Sequence, residues 1–424
     1  MMQRLTRRMV IGGGIAAAGA AAVSGIRAPA WAQAASSTPI RIGFPTDLTG
    51  EAAPSGRAML NGMQMYLDQH NGHMAGRPVK LFVEDTATKP EFAVEKTRLL
   101  VEQEHVDVII GLAIASSGYA VANYVRERGV PTLFPVVSSD DLTQRKRMPN
   151  LIRTGWSSSQ PSHPFGEWVA KTLGYKKIAT VGSDFSFAYE VVGGFQRTFE
   201  MHGGQIVQKV WPRLGTQDFT PFITQLRHDV DAVFAIVPGA DAIRFVKSYH
   251  DLGLKGKIPL IGGGNTTDES LLPHMAPEDA DGIVTVAIWS AALDRPEAKE
   301  FVDEYRRRFH QDAAYHAETT YDTAHWLDLA LQHLGGKAGN ADELLAAIRA
   351  IQLPNAPRGP IRLDSYQNPI ENVYVRRVEH VNGRLQNTVI HTFPNVSQFW
   401  TFSPEKFLAQ PVYSRDYPPC DHCS

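Results

Sequence analysis

Short apolar runs and amphipathic stretches alternate along the chain from residue 40 onward. Apolar runs bounded by turn residues predict buried strands, and apolar positions three and four residues apart predict helices. The first series predicts strands at 40–45, 79–84, 106–111 and 130–135 and helices at 56–70, 91–104 and 116–128. Because strands that alternate with helices pair in parallel, this series predicts a doubly wound sheet.

The alternation restarts after a strand predicted at 150–154. It predicts strands at 177–182, 205–210, 232–237 and 258–261 and helices at 165–173, 189–202, 219–227 and 241–252. This second series predicts a second parallel sheet. The pattern therefore predicts an α/β protein with two doubly wound lobes.

A third stretch changes the order of elements. It predicts a strand at 282–288, helices at 296–309, 317–334 and 341–351, and strands at 373–379 and 385–392. Asn382-Gly383 between the last two strands is a strong hairpin signal. The chain is thus expected to cross between the lobes more than once, leaving a cleft that can close around a small molecule.

The ends of the chain differ from its body. Residues 1–34 carry Arg7-Arg8, an uncharged Gly/Ala-rich stretch and small-residue cleavage patterns, which predict a twin-arginine-type signal peptide cleaved near Ala32 or Ala34 and export to the periplasm. A single membrane anchor is the alternative. Residues 394–424 are rich in Pro and aromatic residues without periodicity, and we expect a passive surface tail there.

Composition removes several classes of function. The 42 basic and 44 acidic residues give a net charge of −2, so nothing indicates nucleic-acid binding. The two cysteines, Cys420 and Cys423, lie in the last five residues. An inert tail or a local disulfide is expected there, with a metal site as the second alternative and catalysis as the third.

Motifs of catalysis are missing from the sequence. It contains no G-x-S-x-G elbow, P-loop or H-E-x-x-H. Gly262-Gly263-Gly264 lacks the last glycine of a dinucleotide fingerprint and is interpreted as an open loop after a strand. We therefore predict no enzyme, no cofactor and no metal, with a hydrolase on an α/β scaffold as the alternative.

Two serine-rich loops follow neighbouring strands of the first lobe. At these carboxyl ends, helix N-termini favour anions. The loops predict a cradle for a carboxylate, with ordinary helix capping as the alternative. The candidate residues are Ala115, Ser116 and Ser117 after one strand and Val136, Ser138 and Ser139 after the next.

Four aromatic residues lie at strand ends and crossovers. Each alone is more often a core residue, but their shared location favours contact with a flat ligand. They are Trp156, Phe187, Tyr189 and Trp289.

The order of several short motifs resembles the leucine/isoleucine/valine-type periplasmic binding proteins of ABC importers. These motifs are Ile40-Arg41-Ile42-Gly43, Asp47-Leu48-Thr49-Gly50, Ile109-Ile110-Gly111, Leu252-Gly253-Leu254 and Gly359-Pro360-Ile361. The resemblance covers nearly all of residues 39–393. It implies a monomer with the type I periplasmic binding protein fold and three crossovers near 155, 286 and 365. Lobe 1 would comprise 39–155 plus 286–365, and lobe 2 would comprise 156–285 plus 366–393.

The resemblance also implies a ligand site. Ala115–Ser117 and Ser138 match the family's carboxylate loop, and Phe187 and Pro238 match contacts on the second lobe. Amino-acid binders carry an acid where this chain has Gly264, and an ammonium group buried without a carboxylate is penalised. The implied ligand therefore lacks an α-amino group.

Residues 153–166 and Gln398-Phe399-Trp400 are similar to members tied to uptake of aromatic acids. A benzoate-like acid, captured by hinge closure and passed to an inner-membrane ABC permease, is the function that this similarity implies. Alternatives are a sensing module for a membrane receptor and a binder of branched-chain or other amino acids.

Overall fold

Two sheets organise the protein, whose computed structural model describes residues 38–423. The predicted signal peptide lies outside the described residues. The first sheet contains β1 (Ile40–Thr46), β2 (His73–Met74), β3 (Arg77–Asp85), β4 (Val108–Ile110), β5 (Thr132–Phe134) and β6 (Leu151–Arg153). Their order is β2-β3-β1-β4-β5-β6, and all neighbours are parallel except β2 and β3.

Three helices connect the strands of this sheet: α1 (Ala53–Gln69), α2 (Pro90–Glu102) and α3 (Ala115–Arg128). The register places Ile42 beside Leu81 of β3 and Val108 of β4. Ile40, Ile42 and Phe44 are fully buried, as expected for a central strand covered on both faces.

The second sheet is parallel at its centre and antiparallel at one side. Its strands are β7 (Lys177–Gly182), β8 (Gln205–Val210), β9 (Ala232–Ile236), β10 (Leu260–Gly263), β11 (Val284–Ala287), β12 (Arg362–Leu363), β13 (Pro369–Val381) and β14 (Arg384–Val396). The order is β12-β13-β11-β10-β9-β7-β8, with β14 on β13. The antiparallel pairs are those made by β13.

Five helices belong to this part of the chain: α4 (Ser162–Trp168), α5 (Ser186–Met201), α6 (Thr220–Thr224), α7 (Ala240–Asp251) and α8 (Pro277–Ala280). A π-helical turn, Val169–Leu173, continues α4. The prediction of a helix at 219–227 was too long, since α6 has five residues. Asn382 and Gly383 have φ angles of 52° and 81°, as a type I′ hairpin turn requires.

The chain leaves the first sheet after β6 and returns to it after β11. Helices α9 (Pro296–Phe309), α10 (Tyr315–His333) and α11 (Ala341–Ala350) follow, before β12 enters the second sheet. The Tyr66 hydroxyl on α1 donates to Asp328 on α10 at 2.7 Å. The last helix is α12 (Pro404–Leu408). The α/β prediction of two parallel-dominated lobes is confirmed, whereas the predicted lobe bounds stay a prediction.

A buried arginine ties the crossings together. Arg358 pairs with Glu318, Asp322 and Glu371 at 2.9, 3.0 and 2.8 Å. It also donates to the carbonyl of Thr154, just after β6, at 2.6 Å. One fully buried ionic cluster therefore joins α10 to the segment just after β6 and to β13, two places where the chain passes between the sheets.

Within residues 38–423, no helix has the length and apolar character needed to cross a bilayer.

Candidate functional site

A cavity lies where strand ends of the second sheet meet the first crossover and the start of α10. Its lining consists of Trp156, Ser158, Pro161, Ser162, Phe187, Val191, Ile236, Gly263, Gly264, Asn265, Val286, Ala287, Ile288 and Tyr315.

Aromatic and branched side chains form most of the wall. Phe187 and Val191 lie four residues apart on α5 and therefore share one helix face. The rings of Trp156 and Tyr315 meet edge to face, with centroids 4.6 Å apart. Trp156, Phe187 and Tyr315 are 6%, 8% and 7% exposed. The wall therefore suits a flat apolar group that is almost completely removed from water.

Tyr315 also brings a hydroxyl group to the cavity. The side-chain amide of Asn265 donates to this hydroxyl at 2.7 Å. Burial raises the pKa of Tyr315 well above its ordinary value, so the hydroxyl keeps its proton. Because the oxygen already accepts from Asn265, the phenolic proton is free to be donated to a ligand atom.

Ser158 connects the cavity to the second predicted serine loop. Its hydroxyl is 2.9 Å from the carbonyl oxygen and 3.0 Å from the hydroxyl of Ser138, and its N–H donates to the same carbonyl at 2.8 Å. Ser138 thus does not line the cavity but forms hydrogen bonds with Ser158, which does.

Two helices begin at the cavity wall. Phe187 is the second residue of α5 and Tyr315 is the first residue of α10, and no side chain caps either helix. The first N–H groups of a helix lack partners within it and carry partial positive charge. The site can therefore stabilise an anion with backbone groups alone.

Charged side chains are absent from the wall formed by the described residues. At Gly264 a Cβ atom would lie 2.6 Å from the Cβ of Ala287 and 2.9 Å from Nη2 of Arg376. The Gly264 carbonyl accepts from Arg376 at 3.1 Å, and Arg376 also pairs with Glu269 at 3.1 Å. A side chain at this position would require Ala287 or Arg376 to shift, and the nearest guanidinium is paired with Glu269.

Three of the twelve predicted site residues line the cavity, namely Trp156, Phe187 and Gly264. Ser138 lies directly behind the lining, as described above. The remaining members of the serine loops, and three residues of the second lobe and the return strand, lie elsewhere.

The first serine loop opens α3 away from the lining. Ala115 and Ser117 are buried there, whereas Ser116 is exposed. Val136 and Ser139 are buried in the second loop, where the Ser139 carbonyl accepts from Arg153 at 2.5 Å. None of these residues lines the cavity.

Two of the predicted aromatic residues have other partners. The Tyr189 hydroxyl donates to Asp184, and its ring meets Trp211 edge to face at 5.0 Å. Trp289 is fully buried and donates its indole N–H to the carbonyl of Ala313 at 2.8 Å. Pro238 is half-buried just beyond β9 and outside the lining.

Sequence reasoning missed Tyr315, Asn265 and Ser162. Tyr315 begins α10 two residues before the predicted helix start, so the helix pattern did not include it. Asn265 directly follows Gly264, and this adjacency was the available signal. Ser162 opens α4, which begins three residues earlier than its predicted start.

The tail cysteines form a disulfide, Cys420–Cys423, which confirms the first of the expected alternatives. Within residues 38–423 no group of three His, Cys, Asp or Glu side chains could hold a metal ion.

Comparison of the sequence with known proteins identifies a family. Residues 39–384 match a family described as periplasmic binding protein. Leu/Ile/Val-binding protein homolog 6 of Brucella melitensis biotype 1 is 27% identical over 370 residues, which is 85% of this chain and 93% of that protein.

Solved structures agree with the sequence match. An ABC transporter substrate-binding protein from Sphaerobacter thermophilus has a TM-score of 0.81 and 32% identity, over 85% of this chain and 99% of that one. A solute-binding protein of an ABC transporter from Rhodopseudomonas palustris BisB5, solved in complex with 3,4-dihydroxybenzoic acid, has a TM-score of 0.80 and 32% identity, over 85% and 98%. The resemblance noted in the sequence is confirmed: this chain belongs to the periplasmic binding protein family and is a substrate-binding protein of the ABC-transporter type.

Proposed function

We propose that this protein binds a small aromatic carboxylate without an α-amino group and delivers it to an ABC permease in the inner membrane. The observation that carries the proposal is the composition of the cavity wall. It combines aromatic and branched side chains with hydroxyl, amide and backbone groups, and it contains no acidic side chain.

The missing acid argues against an amino acid as ligand. An ammonium group buried in an apolar cavity loses its hydration and needs a carboxylate partner. Such a partner at Gly264 would require Ala287 or Arg376 to shift. Branched-chain amino acids are the second candidate, because the Brucella relative is named for leucine, isoleucine and valine.

The cavity wall offers hydrogen-bond donors to a carboxylate without a basic side chain. The starts of α5 and α10 supply uncapped helix N-termini, and Tyr315 supplies a hydroxyl donor. Trp156 and Phe187 supply apolar area for a ring. A second solved protein from R. palustris, 28% identical with a TM-score of 0.79, is in complex with benzoate, which supports this class of ligand.

The proposed mechanism is hinge closure around the crossings between the lobes. The ligand enters between the lobes, the lobes close over the ring, and the closed form is presented to the permease. We further propose export through the twin-arginine signal, function in the periplasm as a monomer, and no catalytic role. A sensing module would share the site but pass occupancy to a membrane receptor.

A thermal-shift and calorimetric panel on the mature protein tests the ligand class. The probes are benzoate, 4-hydroxybenzoate, 3,4-dihydroxybenzoate, leucine and phenylalanine, with benzamide as an uncharged analogue of benzoate. A bound acid at one hundred times its Kd should stabilise the protein by about 2.7 kcal/mol. Benzamide and both amino acids should leave Tm unchanged.

Binding of leucine or phenylalanine as tight as that of the benzoates would overturn the proposal in favour of an amino acid. Equal binding of benzamide and benzoate would overturn the assigned role of the carboxylate.

A further inference from the structure

The segment after β14 is more than a passive tail. We define residues 397–423 as the C-terminal strap. It lies beyond the part of the chain matched by the family, which ends at residue 384. Phe399, Phe407 and Tyr413 are buried and form an apolar cluster of their own, so the strap has a defined conformation on the protein surface.

The first half of the strap contacts both lobes. On the second lobe, Trp400 donates to Glu167 of α4 at 3.2 Å and the Arg197 guanidinium of α5 lies over the rings of Phe402 and Phe407.

The other contacts are made by the first lobe. Arg145, just after the 3₁₀ turn Asp140–Thr143, donates to the carbonyls of Phe407, Leu408 and Gln410 at 3.3, 3.2 and 2.6 Å. The planar guanidinium group donates to several acceptors at once in a fixed geometry that an ammonium group does not have. The carbonyl of Thr143 also accepts from Gln398 at 3.3 Å.

The second half is anchored on the second lobe. Gln196 of α5 donates to the carbonyl of Pro419 at 2.7 Å, and Lys209 of β8 donates to that of Pro418 at 2.6 Å. Arg415 pairs with Asp184 at 3.1 Å.

Tyr413 lies between the two anchors along the chain and packs on α4 and α5 of the second lobe. A Cβ atom at Gly193 of α5 would lie 2.5 Å from its ring, so the ring is seated directly on the helix backbone. Where the lobes touch, the N–H of Asp140 donates to Glu190 of α5 at 3.2 Å. Gln410 and Tyr413 are three positions apart, and such a segment spans at most about 10 Å. The segment therefore limits how far Arg145 of the first lobe can move from α5 while both contacts hold.

We propose that the C-terminal strap couples the two lobes and shifts the ligand-free protein toward the closed form. It rests on the proposed hinge closure but on no particular ligand. A larger closed fraction removes part of the cost of closure from binding, so the strap raises apparent affinity for whatever ligand the cavity takes. It also slows release, because opening must first break one anchor.

Distance measurements on the ligand-free, full-length mature protein test the strap. Spin labels are placed on exposed positions of α3 and α8 through Glu127→Cys and Glu278→Cys, and pulsed dipolar spectroscopy gives the distribution of distances between the lobes. Arg145→Lys keeps the ion pair with Asp141 but loses the planar guanidinium group. A second variant that combines Gln196→Leu, Lys209→Met and Arg415→Met removes the three bonds of the second anchor. Lys247→Met, on an exposed lysine paired with Asp251 on its own helix, is the matched control.

Each anchor variant should change the distribution by adding a population with separated lobes, and the control should not. Because a strap is a link in series, the variant that combines both changes should add no further separation beyond the larger of the two separate effects. Unchanged distributions in both folded variants, or additive effects in the combined variant, would overturn the coupling role. An aromatic acid that failed to bind would leave these distance results intact, so the two proposals fail separately.

Discussion

Replacing Tyr315 by Phe removes one hydroxyl from the cavity and leaves the ring in place. The ring keeps its edge-to-face contact with Trp156 at 4.6 Å and its stacking on His316 at 3.8 Å. Asn265 loses its acceptor but is only half-buried, so water can replace the lost partner. We expect the free energy of unfolding of the ligand-free protein to fall by less than about 1 kcal/mol.

The effect on affinity depends on which end of the ligand meets the hydroxyl. A hydrogen bond to a charged group contributes about 1.5–3 kcal/mol, and one to a neutral group contributes about 0.5–1.5 kcal/mol. Loss of a contact with the carboxylate should therefore weaken benzoate and 4-hydroxybenzoate alike, by roughly 10- to 150-fold. Loss of a contact with a ring hydroxyl should weaken 4-hydroxybenzoate alone, by roughly 2- to 13-fold.

Isothermal titration of both acids against Tyr315→Phe decides between these outcomes. Tyr249→Phe is the matched control, because the Tyr249 hydroxyl donates to the buried carbonyl of Ile258 at 3.0 Å and lines no part of the cavity. The control should lower stability and leave affinity unchanged. Unchanged affinity for both acids in Tyr315→Phe would refute the assignment of its hydroxyl to the ligand.

Three other perturbations have defined outcomes. Trp156→Ala should weaken aromatic-acid binding at least tenfold, measured by titration. Because the side chain is buried, the variant should also lower the free energy of unfolding by about 3–5 kcal/mol, measured by denaturant unfolding. Unchanged affinity would show that the role of Trp156 is purely structural. Gly264→Ala should lower both Tm and affinity, because the new Cβ atom would lie 2.6 Å from Ala287. Gly339→Ala should change neither, since a Cβ atom there has no neighbour within 4 Å. Equal behaviour of the two variants would contradict the close packing at Gly264. Burial raises the pKa of both Asp140 and Glu190. Between the ordinary carboxyl pKa and the raised range, the native state therefore holds protons that the unfolded chain has released. The free energy of unfolding should fall as pH rises through this interval. Glu190→Gln should flatten that part of the stability–pH curve, and an unchanged slope would show that the pair does not titrate there.

Periodicity predicted the elements that bury a regular face. The strands of three or more residues in both sheets and the Asn382-Gly383 turn follow from local pattern, because side-chain alternation and turn chemistry act over a few residues. The two-residue strands β2 and β12 were missed since they are too short to show a period. Their pairing depends on β3 and β13, which are themselves formed by distant packing.

The candidate site was predictable only in part. Trp156 and Trp289 both follow strands at crossovers, yet one lines the cavity and the other points into the core. Local sequence gives the position of a strand end but not the rotation of the side chain or the offset between two sheets. Ser116 and Ser138 illustrate the same limit, because one is exposed at α3 and the other supports Ser158.

The anchors of the C-terminal strap could not be predicted from pattern. Arg145, Gln196 and Lys209 bind backbone carbonyls of the strap. Any residue offers a carbonyl, so the strap sequence carries no sign of its partners.

The uncharged cavity wall has a consequence for the rate of capture. Long-range attraction by fixed charges speeds association of ions and weakens as salt is added. Helix N-termini act over only a short distance, and the cavity wall of the described residues has no basic side chain. The cavity wall itself should therefore add no electrostatic steering to the association of an anionic ligand. A dependence of the rate constant on ionic strength should come from charges elsewhere on the surface.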